Sequence, residues 1–196
     1  EVVLVGGALA LGMPIPIVPA QILWVNFLED TFPAAALAFE PLEDGAMREP
    51  PRPRSARLLD RDAMLLVFGV GLVSDAVLLA VSYAIFTWTN DLALTRTIAF
   101  GGIGINALLF VFGIRSIRQP IWRSRPLANP WLLGAVACSL VLLISGLTLP
   151  ALQPLLRTTA LPAWGWALIG GIGVVELLAV ELMKATFRMR RNGAHA

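Results

Sequence analysis

The stretch QILWVNFLEDTFPAAALAFEP, residues 21–41, is long and apolar yet carries three polar side chains near its middle. These are Asn26, Glu29 and Asp30. A helix needs about 20 mostly apolar residues to cross the hydrocarbon core of a membrane. One acid at the centre of such a helix costs about 2.5–3.5 kcal/mol, so acids found there usually face a bundle interior or an ion path. The stretch therefore predicts a membrane helix with a polar function.

The composition of the whole chain is that of a membrane protein. Of the 196 residues, 57% are hydrophobic and 14% are charged, and the mean hydropathy is +0.76. Soluble domains have roughly 45–50% apolar and about 25% charged residues. The single Cys138 excludes a disulfide or a cysteine-ligated cluster within the chain.

Apolar runs of membrane-spanning length recur along the chain and are separated by short polar connections. They predict an all-α polytopic bundle of transmembrane helices, with about five full spans plus one truncated N-terminal span. Because the chain starts at Glu1 inside an apolar run, without an initiator Met, we expect it to be a fragment. The runs are residues 2–12 (truncated), 20–40, 63–88, 97–114, 131–150 and 163–183.

Basic residues are concentrated on alternate connections. Residues 41–62, residues 115–130 and the tail from Lys184 hold 13 of the 15 Lys and Arg residues, and only Arg96 and Arg157 lie elsewhere. The positive-inside rule therefore predicts that these three segments, including the C-terminus, are cytoplasmic. This distribution explains the net charge of +2 without a nucleic-acid partner.

Two connections have unusual sequences. The first, GMPIPIVPA at residues 12–20, is rich in proline and predicts a tight outer hairpin that holds two helices side by side. The second, residues 41–62, is rich in proline and charge and predicts a cytoplasmic loop without a core of its own. The chain has no glycine-rich phosphate loop, so we predict no catalytic residues and no cofactor-binding residues in it.

The three polar residues of the opening stretch have the spacing of one helical face. Asn26, Glu29 and Asp30 stand at positions i, i+3 and i+4, at nearly one membrane depth. Hard cations such as calcium prefer carboxylate, amide and main-chain oxygens. Pro33 has no N–H and would free carbonyls around residue 29, opening the helix there. The spacing therefore predicts a cation site; the alternative is that the acids only cap or pair inside the bundle.

The same residues carry a resemblance to a known family. LWVNFLEDTFPAAALAFEP, residues 23–41, resembles the sixth membrane helix of the type II P-type cation pumps, the family of the sarcoplasmic reticulum calcium pump. MREPPRPRSARLLDRD, residues 47–62, is similar to the loop before the seventh helix of that family. The start of the chain resembles the end of the fifth helix and its hairpin, and PLANPWLLGAV resembles the ninth helix. The resemblance covers the whole chain, so residues 1–196 are identified as a C-terminal transport domain.

The resemblance implies a set of cation ligands. Asn26 and Asp30 match positions that coordinate the transported ion in the family, and Glu1 matches a glutamate ligand of the fifth helix. Two positions depart from the pattern. Glu29 stands where the calcium pumps usually have threonine, and residues 97–114 have no acid where those pumps have a glutamate, which leaves Asn106. We therefore predict metal ligands at Asn26, Asp30, Glu29, Glu1 and Asn106.

The function implied by the resemblance is ATP-driven export of calcium from the cytoplasm, in an integral membrane protein of a bacterial plasma membrane. ATP and Mg²⁺ would act only through domains before Glu1, so the expected partners are the bilayer, the N-terminal remainder of the same pump and the transported cation. A proton is the alternative ion, because adjacent Glu29 and Asp30 can share one. The alternative of another class is a self-standing secondary carrier or a structural membrane protein.

Three further acids lie in apolar runs. Asp75 has no charged neighbour in sequence, so it serves either ion or proton flow or an interhelical hydrogen bond. Glu176 and Glu181 lie in the last run, towards its basic end. There Glu181 can pair with Lys184 at i+3, and we predict a structural ion pair.

Overall fold

The computed structural model describes residues 1–40, 61–114 and 128–193, and within these ranges the chain is helical with no β-strand. The all-α prediction is confirmed. Residues 41–62 are predicted to form a cytoplasmic loop, and of these, residues 41–60 lie outside the described part of the chain. The helices are α1 (Val2–Ala10), α2 (Pro19–Asp30), α3 (Phe32–Leu37), α4 (Arg61–Met64), a π-helical segment (Leu65–Gly69), α5 (Val70–Thr89), α6 (Leu92–Ile114), α7 (Pro130–Thr148), α8 (Gln153–Leu156) and α9 (Ala163–Gly193).

Four of these helical stretches are long and apolar enough to cross a membrane: Leu65–Thr89, Leu92–Gly113, Pro130–Thr148 and Ala163–Phe187. They correspond to the last four predicted spans and confirm a helical membrane bundle. The predicted span 20–40 is divided between α2 and α3, and neither part reaches the length of a membrane crossing. The total number of crossings therefore remains a prediction.

The polar stretch contains the predicted helix interruption. α2 ends at Asp30, Thr31 separates the two helices, and α3 begins at Phe32. Pro33 stands in the first turn of α3, where a missing N–H costs least. The buried Ser139 hydroxyl of α7 donates a hydrogen bond of 2.8 Å to the Leu28 carbonyl. A neighbouring helix thus binds the main chain just before the interruption, as membrane helices require wherever their own hydrogen bonding is broken.

α6 is the most buried of the four long helices and packs against α9, α5, α2 and α7. Its run of small residues allows this close approach. A Cβ atom at Gly101 would lie 2.5 Å from Ile169 Cδ1 of α9, and one at Gly104 would lie 2.5 Å from Leu143 Cδ1 of α7. Small residues at helix interfaces are the usual way for membrane helices to pack closely.

The proline-rich connection joins α1 to α2, but it does not hold them side by side as predicted. α1 packs chiefly against α5, whereas α2 packs against α6, α3 and α7. The eight residues between the helices can extend over about 26 Å, which is long enough for α1 and α2 to pack against different neighbours. The connection is instead fixed to α6, where Arg96 Nε donates to the Ile15 carbonyl at 3.2 Å. The fully buried Gln21 donates to the Arg96 carbonyl at 3.5 Å.

The other end of the broken helix is tied to α7 through one buried amide. The Asn129 side chain caps α7 by accepting from the Leu132 N–H at 3.0 Å. Its Nδ2 donates to the Ala36 carbonyl at 3.1 Å and to a Glu40 carboxylate oxygen at 2.9 Å. Together with Ser139, this residue makes α7 the support for both halves of the polar stretch.

Candidate cation site

A polar cavity of about 310 Å³ lies where α1, α2, α5, α6 and α9 approach one another. Its apolar lining includes Leu78, Ile103 and Phe110. Oxygen-bearing side chains from all five helices share the cavity, which is expensive in a membrane-spanning bundle and marks functional sites by default. The polar lining residues are Glu1, Asn26, Glu29, Ser74, Asp75, Asn106 and Glu176.

Four of the five predicted cation ligands line this cavity, and the fifth does not. Glu1, Asn26, Glu29 and Asn106 are brought together from four helices, whereas Asp30 is exposed and absent from the lining. Successive residues of an α-helix point about 100° apart, so Glu29 and Asp30 point to different sides of α2. Glu29 faces the cavity, and Asp30 lies on a side of α2 that no described residue buries.

Asn106 presents an unsatisfied oxygen beside the cavity. Its side chain is 8% exposed, and within the part of the chain that the structure describes its Oδ1 has no hydrogen-bond partner. Buried polar atoms are nearly always paired, so an orphan oxygen needs an explanation such as a bound ion or water. An oxygen in this position can accept a hydrogen bond from water or coordinate a cation.

Asp75 joins two helices at the cavity. Its carboxylate accepts a hydrogen bond from the Val3 N–H, in the first turn of α1, at 3.3 Å. It therefore binds the start of α1 to α5, which is the interhelical role that we predicted as one of two. Because Asp75 also lines the cavity, the hydrogen bond does not exclude a role in ion flow.

Glu176 and Ser74 are cavity residues that sequence analysis did not assign to the site. Glu176 was placed towards the basic end of the last run, but the helix continues to Gly193 and its membrane-length part is Ala163–Phe187. Glu176 is therefore near the middle of the span, and the observed length of the helix is the signal that places it there. Its carboxylate contacts the Ser74 hydroxyl. Nearer the end of α9, the predicted pair is present, since Lys184 Nζ lies 3.5 Å from Glu181 Oε1.

Several acids line the cavity, but their carboxylates are not clustered around one point. Within residues 1–40, 61–114 and 128–193, no three Asp, Glu, His or Cys side chains lie close enough to bind one metal ion. Calcium also accepts amide and main-chain carbonyl oxygens as ligands. The amide side chains that line the cavity beside the acids are those of Asn26 and Asn106.

Comparison with known proteins finds similarity to cation-transporting ATPases. Residues 14–186 match the family model described as "Cation transporting ATPase, C-terminus". The chain is 33% identical over 186 residues to a "Calcium-transporting ATPase" of Bacillus subtilis, covering 93% of this chain and 21% of that protein. It is 30% identical over 177 residues to the "Probable cation-transporting ATPase F" of Mycobacterium tuberculosis, covering 88% and 19%.

A mouse protein, "Calcium-transporting ATPase type 2C member 2", is 31% identical over 178 residues, covering 88% of this chain and 18% of that protein. The chain thus spans about a fifth of the length of the curated relatives it matches. The matching family model describes the C-terminal part of cation-transporting ATPases.

Proposed function

Because this chain belongs to the family of cation-transporting ATPases and matches their C-terminal part, we propose that it forms the transport domain of a pump that exports calcium from the cytoplasm. The observation that carries the proposal is the cavity in which Glu1, Asn26, Glu29 and Asn106 meet. Two of the relatives are named calcium-transporting ATPases, which supports calcium as the ion. Membership of the family also favours a pump over a self-standing carrier.

In this proposal the cation binds between α2 and its neighbours. Glu29 supplies the carboxylate that replaces the acid missing from α6, and Asn26 and Asn106 supply amide oxygens. Asp30 is exposed and does not line the described cavity. Asp30 would then complete the coordination from the other side of the same helix turn.

Transport requires the site to open alternately to the two sides of the membrane. The interruption at Thr31 divides α2 from α3, so the chain can bend there. ATP and Mg²⁺ act in domains outside this sequence, and their chemistry selects between the two states. The proposed location is a bacterial plasma membrane with the C-terminus in the cytoplasm.

A proton is the second candidate for the transported ion, and one observation favours it. The cavity is lined by four acids, Glu1, Glu29, Asp75 and Glu176, yet no three of the described acids are close enough to bind one metal ion. Carboxylates that share a site in this way tend to retain protons. Proton transport needs carboxyl groups but no coordination shell.

Uptake into vesicles tests the proposal. Inside-out membrane vesicles that contain the full-length protein should accumulate radioactive calcium when ATP is added, and Asp30→Asn should abolish both uptake and calcium-dependent phosphorylation. The matched control is Asp91→Asn, since Asp91 caps α6 away from the cavity by accepting from the Leu94 N–H at 2.9 Å, and an amide oxygen can still accept there. ATP-dependent acidification without calcium uptake would instead identify the proton as the ion.

A further inference from the structure

Glu176 is a buried acid in mid-membrane that the proposed cation site does not use. It lies on α9, is 4% exposed and lines the central cavity. Within the described residues, no hydrogen bond joins it to any of the five predicted cation ligands. A carboxyl group in this position is expensive if ionised, so its partners should reveal its protonation state.

The hydrogen-bond partners of Ser74 give that information. Ser74 Oγ lies 2.9 Å from the Val70 carbonyl oxygen and also contacts a Glu176 carboxylate oxygen. Ser74 has one hydroxyl hydrogen, whereas a carbonyl and an ionised carboxylate are both acceptors only. If the hydroxyl donates to Val70, as serine commonly does to the carbonyl four residues before it in a helix, the contact with Glu176 needs a hydrogen from Glu176.

The charges around Glu176 point to the same protonation state. On α5 the facing titratable group is Asp75, on α6 the cavity residue is the neutral Asn106, and the π-helical segment has no titratable side chain. Glu1 and Glu29 face the cavity from α1 and α2. Along α9 itself, Lys184 lies two turns away and pairs with Glu181. An ionised Glu176 would thus be a buried anion among other acids, with no Lys, Arg or His side chain among the residues that line the cavity.

We propose that Glu176 is a proton-binding residue of the cavity and is protonated when no cation is bound. Its hydrogen is donated to Ser74, which in turn donates to the Val70 carbonyl. When the proton leaves for water in the cavity, Glu176 becomes a carboxylate and the Ser74 hydroxyl rotates to donate to it. A cation that enters the cavity stabilises that carboxylate. Cation entry is therefore coupled to proton release from Glu176, a step that rests on the proposed function.

Infrared spectroscopy tests the protonation without any transported ion. The full-length protein in lipid bilayers, free of calcium and at neutral pH, should show the carbonyl stretch of a protonated carboxyl group. Glu176→Gln should remove that band, and Ser74→Ala should shift it because the hydrogen bond is lost. Asp91→Asn should leave it unchanged. A spectrum that is identical in the wild type, Glu176→Gln and Ser74→Ala would overturn the proposal.

Proton release tests the coupling. Adding saturating calcium to the wild type in weak buffer with a pH-sensitive dye should release protons, and Glu176→Gln should release about one fewer per molecule. Equal release from both proteins would overturn the coupling. A wild type that shows no response to calcium would contradict the proposed ion, whereas the infrared band would still report on Glu176 by itself.

Discussion

The Ser139 hydroxyl of α7 lies 2.8 Å from the Leu28 carbonyl oxygen of α2, and this hydrogen bond crosses between helices one residue before Glu29. Both residues are almost fully buried. The contact fixes the main chain of α2 at the level of the cavity, three residues before the interruption at Thr31. The position of Glu29 thus depends on a residue more than a hundred positions away in sequence.

Replacing this serine should loosen the site without touching any proposed ligand. Ser139→Ala should lower the stability of the membrane domain by about 0.6 kcal/mol, and at most by about 1.7 kcal/mol, the range measured for interhelical hydrogen bonds in membranes. Apparent calcium affinity should fall with it. The control is Ser145→Ala, since among the described residues the Ser145 hydroxyl bonds only the Val141 carbonyl of its own helix. Thermal unfolding in detergent checks the prediction, and equal melting temperatures for the two variants would contradict it.

The close packing of α6 against α7 gives a second prediction. A Cβ atom at Gly104 would lie 2.5 and 2.8 Å from the two terminal carbons of Leu143 and 3.2 Å from its Cγ, so Gly104→Ala requires the Leu143 side chain or α7 to shift. Overpacking of this kind costs about 1–3 kcal/mol. Gly134→Ala is the matched control, because nothing lies within 4 Å of a Cβ atom there. Comparable unfolding curves for both variants would contradict the prediction, because they would show that the added methyl group at residue 104 is accommodated without loss of stability.

The distribution of basic residues predicts which connections lie on each side of the membrane. If the positive-inside rule holds, reporter tags inserted near Arg54, Arg118 and His195 should be cytoplasmic, and tags near Asp91 and Thr158 should be outside. Labelling of introduced cysteines by an impermeant reagent provides the measurement. A tag near Arg54 that is reached from outside the cell would refute the scheme.

The sequence was sufficient to predict the helical bundle and the interruption of its polar helix, because both follow from local composition. Hydropathy located the runs that became α5, α6, α7 and α9, and Pro33 predicted the break. The site could be predicted only in part. Spacing indicated that Asn26 and Glu29 share a face, but it could not show that Asp30 would be turned away from the cavity.

The contacts that other helices make at the site could not be predicted, because they join residues that are far apart in the sequence. Ser74 and Glu176 are 102 positions apart, and no local pattern indicates that they touch. The partners of Asn129 and Ser139 are equally remote in sequence. Which helix faces which is decided by packing, here by the glycines of α6 and the length of the proline-rich connection.

Glu29 distinguishes the two candidate ions. If it binds calcium, Glu29→Thr should weaken calcium activation by about tenfold or more, because residues 97–114 contain no carboxylate that can replace it. Glu29→Gln should weaken it as well. If Glu29 instead carries a proton, Glu29→Gln should preserve activation and flatten its pH dependence. Calcium-dependent ATPase activity of the full-length protein, measured at two pH values, separates the cases.

Equilibrium binding of radioactive calcium to the full-length protein, without ATP, tests most directly whether the cavity is the cation site. We predict saturable binding by the wild type and by Asp91→Asn. Asn106→Leu, which keeps the side-chain volume but removes the unpartnered oxygen, should lower the affinity by about tenfold, or about 1.4 kcal/mol. Wild-type affinity in Asn106→Leu, with both proteins folded, would show that calcium binds outside this cavity.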